Sequence, residues 1–352
     1  FKADEIQMSA TAKGGAAMIP DADEAAIARQ FLAPIRQMSG ISRFSATDLR
    51  KQLSGKAADV SPYVGRNEHG LRGSTSPKDL ETLMQLVYLN FTAPRFDPDD
   101  FGTFYNQYKG YLENMNSNPD YLFKKQLLQT LYDGNERAQI ISAELLDKVN
   151  FSRLSAINRM LFPDANEFVF TFVGNIDPEV LKPLVEKYIG SIPTTKDRLE
   201  LVDDHVDIVT GQVSEDFNTV MQQPKVSVFF GFSGTENYSL KNNLVLTMLC
   251  EALSTRYHET IREEMGATYG VGAAGSLDYL PTEKYFVQVM CDTNEKQADD
   301  VQAAIMAELE KIAQELRQGN IDADPCGRSE HENACTYCEF ASACHFMDAD
   351  ST

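Results

Sequence analysis

The apolar pattern of this chain passes twice through one order of elements: strands, a long helix, further strands and a helix. In the first half, Ser76 and Pro77 begin a clear amphipathic helix, and the apolar run at 168–173 predicts a buried strand. In the second half, 239–264 predicts the long helix, and Gly319 ends another. No fixed-period repeat recurs. This order predicts an α+β fold of two related domains, each a largely antiparallel sheet with layered helices.

A length of 352 residues favours two domains, and a polar stretch, TTKDRLELVDDH, is the natural place for a linker between them. After this stretch we predict three strands, at 206–210, 218–222 and 226–232. The predicted parts of the chain are a first domain at 1–193, the linker at 194–205, a second domain at 206–318 and a cysteine-rich acidic tail at 319–352.

The charge of the chain excludes one broad class of function. With 32 basic and 52 acidic residues, the net charge of −20 argues against sequence-independent binding to nucleic acid phosphates. We find no apolar run of the roughly 20 residues that a membrane span needs. No signal peptide pattern opens the chain at Phe1, and we expect this sequence to be the interior of a longer protein.

The candidate site is the stretch IREEMGATYG, which runs from Ile261 to Gly270 across the predicted helix-to-strand turn. Arg262 and Tyr269 are seven positions apart there, and a guanidinium beside a phenol can grip a peptide carbonyl and stabilise its oxyanion. By spacing alone, such a pair is more often an ordinary surface arginine and a core tyrosine. The neighbouring Glu263 and Glu264 are adjacent on a helix, do not face each other and carry no predicted chemistry.

Three motifs in the right order give the chain a family resemblance. FVFTFVGNIDPEVLKPLVEKYIGSIP, SVFFGFSG and IREEMGATYGVGA resemble segments of pitrilysin/insulinase-type zinc peptidases, over about residues 1–313. The resemblance implies the fold shared by LuxS and the mitochondrial processing peptidases, with this chain as the third and fourth domains. In the family's fourth domain an arginine and a tyrosine reach the substrate at the zinc, and Arg262 and Tyr269 match those positions.

The resemblance also implies zinc in the intact enzyme, bound through H-x-x-E-H in a different half. This chain has five histidines and neither H-x-x-E-H nor H-E-x-x-H, so the ligands are absent from it. The implied partners are a zinc-bearing N-terminal half, on the same polypeptide or a separate subunit, and peptide substrates; a bacterial periplasmic or cytoplasmic location stays open. A catalytically inactive chamber or scaffold subunit is the alternative. The histidines are His69, His205, His258, His331 and His345.

The tail has a different character. Cys335, Cys338 and Cys344 have the spacing C-x2-C-x5-C, which is similar to the iron–sulfur segment of bacterial AddB-type helicase-nuclease subunits. An iron–sulfur cluster needs four thiolates, and Cys326 is the local candidate for the fourth. There are two alternatives to a cluster: these cysteines bind zinc, or the tail is disordered and acidic. A weak third alternative for the function is that of a nuclease-associated iron–sulfur protein. The tail also stands where the peptidases have a further helix that completes their fourth domain.

Overall fold

A computed structural model describes residues 4–194 and 199–319, together with short strands at 327–329 and 332–333. The described chain forms two compact units. The first takes in the described residues up to Gln222 with 233–238 and 278–284, and the second takes in 223–232, 239–277 and the part from Tyr285 onwards. Antiparallel strands with layered helices confirm the predicted α+β class. Among the described helices, none has the length and apolar character needed to cross a membrane.

The first unit is one four-stranded sheet with helices packed on it. Its sheet has the order β2-β3-β1-β4, and the centre of β1 at Ala10 lies between Leu71 of β3 and Phe170 of β4. The strands are β1 (Ile6–Lys13), β2 (Ala58–Val64), β3 (Glu68–Thr75) and β4 (Val169–Gly174). The helices are α1 (Ala22–Ile27), α2 (Ala33–Ser39), α3 (Ala46–Gln52), α4 (Leu80–Thr92), α5 (Pro98–Met115), α6 (Pro119–Leu131), α7 (Ala143–Asp147), α8 (Phe151–Leu161) and α9 (Pro178–Leu184). A π-helical turn, Ala28–Leu32, joins α1 to α2, and a second, Val185–Ile189, follows α9.

Side-chain caps fix several of these helix boundaries. The Asp97 carboxylate accepts hydrogen bonds from the N–H groups of Asp99 and Asp100 and begins α5. The apolar pattern over 143–161 is typical of one helix, but the structure has two. Asn150 accepts from the N–H of Arg153 at 3.1 Å and begins α8 there, so the chain breaks between α7 and α8.

A neutral histidine bridges three elements in the core of the first unit. His69 on β3 is fully buried, and its Nδ1 accepts from the N–H of Gly15 at 3.1 Å. The ring proton therefore sits on Nε2, which donates to the carbonyl of Leu161 at 2.5 Å. The ring packs edge-on against Phe162 and Phe168. Burial lowers the pKa of His69 to about 4, so the imidazole is neutral in the folded protein at neutral pH.

A buried arginine on α2 joins that helix to α4 and α8. The Arg36 guanidinium donates from Nη2 to the backbone and side-chain oxygens of Asn90, at 2.9 and 2.8 Å, and from Nη1 to Asn158 Oδ1 at 3.0 Å. It also lies over the ring of Phe162. Burial lowers the pKa of Arg36 to about 9, since only neutral oxygens receive its charge.

The second unit is a three-stranded sheet with two long helices. The sheet order is β5-β7-β6, and Leu253, Val289, Val301 and Ile305 form the centre of its core. Gly319, with φ 72°, ends α11 as predicted. The elements are β5 (Val226–Thr235), α10 (Leu240–Tyr257), β6 (Val271–Asp278), β7 (Lys284–Thr293) and α11 (Ala298–Gln318), followed by the paired strands β8 (Gly327–Ser329) and β9 (Glu332–Asn333).

The strands predicted at 206–210 and 218–222 are wrong, because residues 199–222 contain neither helix nor strand. Val220 is 95% exposed, so 218–222 buries no apolar face, and Val206 is buried at 3% exposure without lying in a strand. The segment is anchored by Asp204 instead. Asp204, whose side chain is 4% exposed, receives Arg66 Nε at 2.8 Å and lies 3.9 Å from Arg137 Nη1.

Candidate functional site

Arg262 lies on a π-helical turn, His258–Glu264, which continues α10 beyond Tyr257. The turn closes with a hydrogen bond from the N–H of Met265 to the carbonyl of Thr260 at 3.0 Å, which spans five residues instead of four. The wider turn keeps Ile261 fully buried in the core and leaves Arg262 exposed. The sequence pattern predicts the helix but not this change of winding.

The chain after the π turn reverses on Gly266 and is then anchored to the core. Gly266 has φ 59°, a left-handed conformation that glycine adopts without strain. Ala267 is buried, and its carbonyl accepts a hydrogen bond from Thr293 Oγ1 at 2.8 Å. Gln297 Nε2 donates to the carbonyl of Met265 at 3.3 Å. The turn is therefore held by β7 and by the residue that precedes α11.

The backbone around Tyr269 is fixed while its side chain is free. Thr268 Oγ1 lies 2.7 Å from the carbonyl of Asp292 and 2.9 Å from that of Gly270, and it accepts from the N–H of Gly270 at 3.2 Å. These contacts fix the residues on both sides of Tyr269, whose side chain is 100% exposed. The expectation of a core tyrosine, which spacing alone would favour, does not describe this residue.

The two candidate side chains lie at the two ends of one turn, and no hydrogen bond joins them. Neither the Arg262 nor the Tyr269 side chain makes a hydrogen bond or ion pair with another residue in the described ranges 4–194 and 199–319. The phenol hydroxyl and the guanidinium N–H groups therefore keep their donors for a ligand. Chemically, the turn offers a hydroxyl and a cation to an acceptor such as a carbonyl oxygen.

The strand beside this turn carries a satisfied carboxylate. Asp292 on β7 accepts from Ser227 Oγ at 2.6 Å and from Lys225 Nζ at 2.9 Å. Partial burial works against ionisation, but the hydrogen bonds from Ser227 and Lys225 outweigh it and lower the pKa of Asp292. Sequence reasoning missed the anchoring residues Thr268 and Thr293. In the sequence, only the position of Thr268 directly before Tyr269 could have indicated an anchor, and nothing indicated Thr293.

The described residues do not fit a zinc ion. They contain no group of three or more histidine, cysteine, aspartate or glutamate side chains that could hold a metal. His258 lies at the start of the π turn and belongs to no such group. Cys250 and Cys291 are buried thiols, and burial raises the pKa of Cys291 to about 11, which disfavours the thiolate that metals bind. Cys326, Cys335, Cys338 and Cys344 lie outside the described residues.

Comparisons with known proteins find similarity to zinc proteases. Residues 160–323 match the peptidase M16 inactive domain, a range that includes all the strands and helices of the second unit up to α11. The probable zinc protease PqqL of Escherichia coli is 22% identical over 243 residues, which are 68% of this chain and 26% of that protein. The chain therefore spans well under half the length of this relative.

Solved structures show the same fold. The periplasmic protease PqqL from Escherichia coli superposes with a TM-score of 0.71 at 19% identity, covering 94% of this chain and 35% of that one. The ferredoxin protease FusC, solved as a point mutant in complex with Arabidopsis ferredoxin, superposes with a TM-score of 0.69 at 15% identity, covering 86% and 33%. At these identities the two solved structures show that the fold is shared.

Proposed function

We propose that this chain is the substrate-binding, non-catalytic half of a zinc endopeptidase, and that Arg262 and Tyr269 bind the peptide carbonyl that is attacked. The observation that carries the proposal is the state of Tyr269, which is fully exposed on a backbone fixed by Thr268. A tyrosine ring that is fully exposed to water loses the stabilisation that burial of its apolar surface would give. The fixed turn nevertheless holds the ring on the surface. A ligand-binding role accounts for that arrangement.

The chemistry assigned to the pair is electrostatic. When a peptide carbonyl becomes tetrahedral, negative charge develops on its oxygen, and a hydroxyl and a guanidinium placed there in advance stabilise it. The fixed backbone on both sides of Tyr269 and the π turn that carries Arg262 support this role. Zinc would be supplied by the other half, because the described part of this chain has no group of three or more side chains that could hold a metal.

The proposed partners follow from the same assignment. A zinc-bearing half completes the enzyme, on the same polypeptide or as a separate subunit, and the substrates are peptides or small proteins. FusC was solved with a small protein, ferredoxin, which is consistent with that substrate class. The net charge of −20 favours basic or neutral segments of a substrate over acidic ones.

Reconstitution tests the proposal. The purified chain is mixed with a zinc-bearing half, and cleavage of a quenched fluorescent peptide is followed. We expect turnover only in the mixture, and a loss of turnover with Arg262→Ala. Arg50→Ala, which removes an equally exposed arginine in the first unit, is the matched control and should leave turnover unchanged. A mixture that assembles but cleaves equally well with Arg262→Ala would show a scaffold subunit instead.

A further inference from the structure

A buried carboxylate lies against the π turn that carries Arg262, and the chemistry proposed above does not use it. Glu308 on α11 is 9% exposed, and its Oε1 accepts a hydrogen bond from Thr260 Oγ1, in the middle of the turn, at 3.2 Å. Lys311 Nζ lies 3.9 Å from the same oxygen. The other oxygen, Oε2, is buried and has no hydrogen-bond partner among the described residues. Burial of a carboxylate with few hydrogen bonds costs free energy, so stability alone does not account for a glutamate at this position.

Thr260 differs from the other hydroxyl residues along the same helix. Thr247, Ser254 and Thr255 of α10 each donate to the carbonyl four residues earlier, at 3.0, 2.9 and 3.1 Å. This is a usual local hydrogen bond of such residues in a helix. Thr260 Oγ1 donates to the carboxylate of Glu308 instead. Glu308 therefore holds this hydroxyl away from the backbone of its own helix.

Contacts with α11 and the residue before it hold the π turn on both sides of this hydrogen bond. Before the turn, the hydroxyl of the fully buried Tyr257 donates to the carbonyl of Ile305 at 3.3 Å. After the turn, the carbonyl of Met265 accepts from Gln297 Nε2 at 3.3 Å. Thr260 lies between these contacts, and its carbonyl accepts the hydrogen bond from the N–H of Met265 that makes the turn one residue wider.

The winding of this turn determines the direction of Arg262. A π turn contains one residue more than an α-helical turn, and one residue corresponds to a rotation of about 100° about the helix axis. If residues 258–264 continued α10 as an ordinary α-helix, the side chain of Arg262 would therefore point in a different direction. A contact that stabilises the wide winding also fixes the direction of the guanidinium.

We propose that Glu308 is a positioning residue for substrate binding, which acts through Thr260 to hold the winding that directs Arg262 at the peptide carbonyl. The inference rests on the proposed function of Arg262 and adds a residue that does not touch the substrate. Because Glu308 acts through the direction of one guanidinium, its loss slows the chemical step without lowering the stability of the chain. The role needs an acceptor for Thr260 and not a charge, so an amide at position 308 performs it.

The first test measures kcat of the reconstituted enzyme with substitutions on α11. Glu308→Leu removes the acceptor and keeps a side chain of similar size, and we expect kcat to fall about 10–10²-fold with KM nearly unchanged. Glu308→Gln keeps an acceptor for Thr260 and should retain kcat within about twofold of the wild type. The matched control is Glu315→Leu. It removes a carboxylate contact between the same two helices, to Arg256 Nη2 at 3.1 Å, and should leave kcat unchanged.

A second test separates positioning from a purely structural effect. When Arg262→Ala is already present, Glu308→Leu should have no further effect on kcat, because the side chain that it positions is gone. In the chain alone, the Met265 amide should exchange its hydrogen about tenfold faster with Glu308→Leu and at the wild-type rate with Glu315→Leu. The urea midpoint of Glu308→Leu should be unchanged or higher, because leucine needs no hydrogen bond in the core.

Four results would overturn the inference. Glu308→Leu could slow cleavage equally with and without Arg262. It could lower the urea midpoint, or leave the exchange of the Met265 amide unchanged. It could also leave kcat unchanged while Arg262→Ala slows cleavage, in which case this inference fails and the proposed function stands. If Arg262→Ala itself leaves kcat unchanged, the proposed function and the positioning role fail together.

Discussion

The neutral, buried His69 predicts a specific loss of stability in mild acid. In the unfolded chain this imidazole takes up a proton near its ordinary pKa of 6.5, whereas burial lowers the folded pKa to about 4. The unfolded state therefore binds more protons in the window between these values, and stability falls as the pH falls through it. Above pH 6.5 the contribution of His69 is fully present.

The size of the effect follows from the two pKa values. A full difference between 6.5 and about 4 corresponds to about 3 kcal/mol at 1.36 kcal/mol per pH unit. Between pH 7.5 and pH 5 the loss from this one group is about 2 kcal/mol. Most carboxylates titrate below this window, with ordinary pKa values near 4, so His69 should contribute a distinct part of the slope.

The assay is urea unfolding of the wild type and of His69→Gln, followed by circular dichroism at pH 7.5 and pH 5. Glutamine can both accept from Gly15 and donate to Leu161, but it does not titrate. We expect the variant to be less stable at pH 7.5 and to lose about 2 kcal/mol less on acidification. An NMR titration that places the His69 pKa near 6.5 in the folded protein would refute the reasoning.

Three further predictions concern other parts of the chain. Arg36→Met should lower the free energy of unfolding by about 2 kcal/mol in urea titrations, because Asn90 and Asn158 lose their donor inside the core; an unchanged midpoint would contradict this. Asp204→Ala should cost about 1 kcal/mol and speed proteolytic cleavage within 199–222, since it frees that segment from its arginine partner; an unchanged cleavage pattern would count against the anchor. Anaerobic reconstitution of the full chain should yield no stable iron–sulfur cluster, because Cys326 is the only local fourth ligand; an iron-dependent absorbance that Cys335→Ser abolishes would overturn that expectation.

The sequence was most informative where local chemistry decides the structure. The glycine at Gly319 and the apolar periodicity of α10 and α11 predict boundaries and fold class well, because each acts within a few residues. The valines at 206–222 misled the strand prediction, because alternation does not report whether a partner strand exists: Val206 is buried and Val220 is 95% exposed, and neither lies in a strand. The π turn and the anchoring of Tyr269 depend on contacts with Asp292 and Thr293, which a local pattern does not contain.

The candidate pair itself was found by family resemblance and not by spacing. An arginine and a tyrosine seven positions apart are common, and only the order of the surrounding motifs singled them out. The structure adds that both are exposed and that the turn between them is fixed. Arg36, by contrast, is buried and donates to Asn158 and Asn90, so an arginine on a helix does not by itself mark a binding site.

The most direct test of the central claim is the rate constant of peptide cleavage with Tyr269→Phe in the reconstituted enzyme. The substitution removes only the hydroxyl of a fully exposed ring, so the free energy of unfolding should change by less than about 0.5 kcal/mol. The account predicts a fall in kcat of about 10²–10³-fold, the usual cost of one oxyanion donor. Tyr111→Phe, at another exposed tyrosine, should leave kcat unchanged. An equal kcat for Tyr269→Phe, wild type and control would contradict the claim that this half binds the reacting carbonyl.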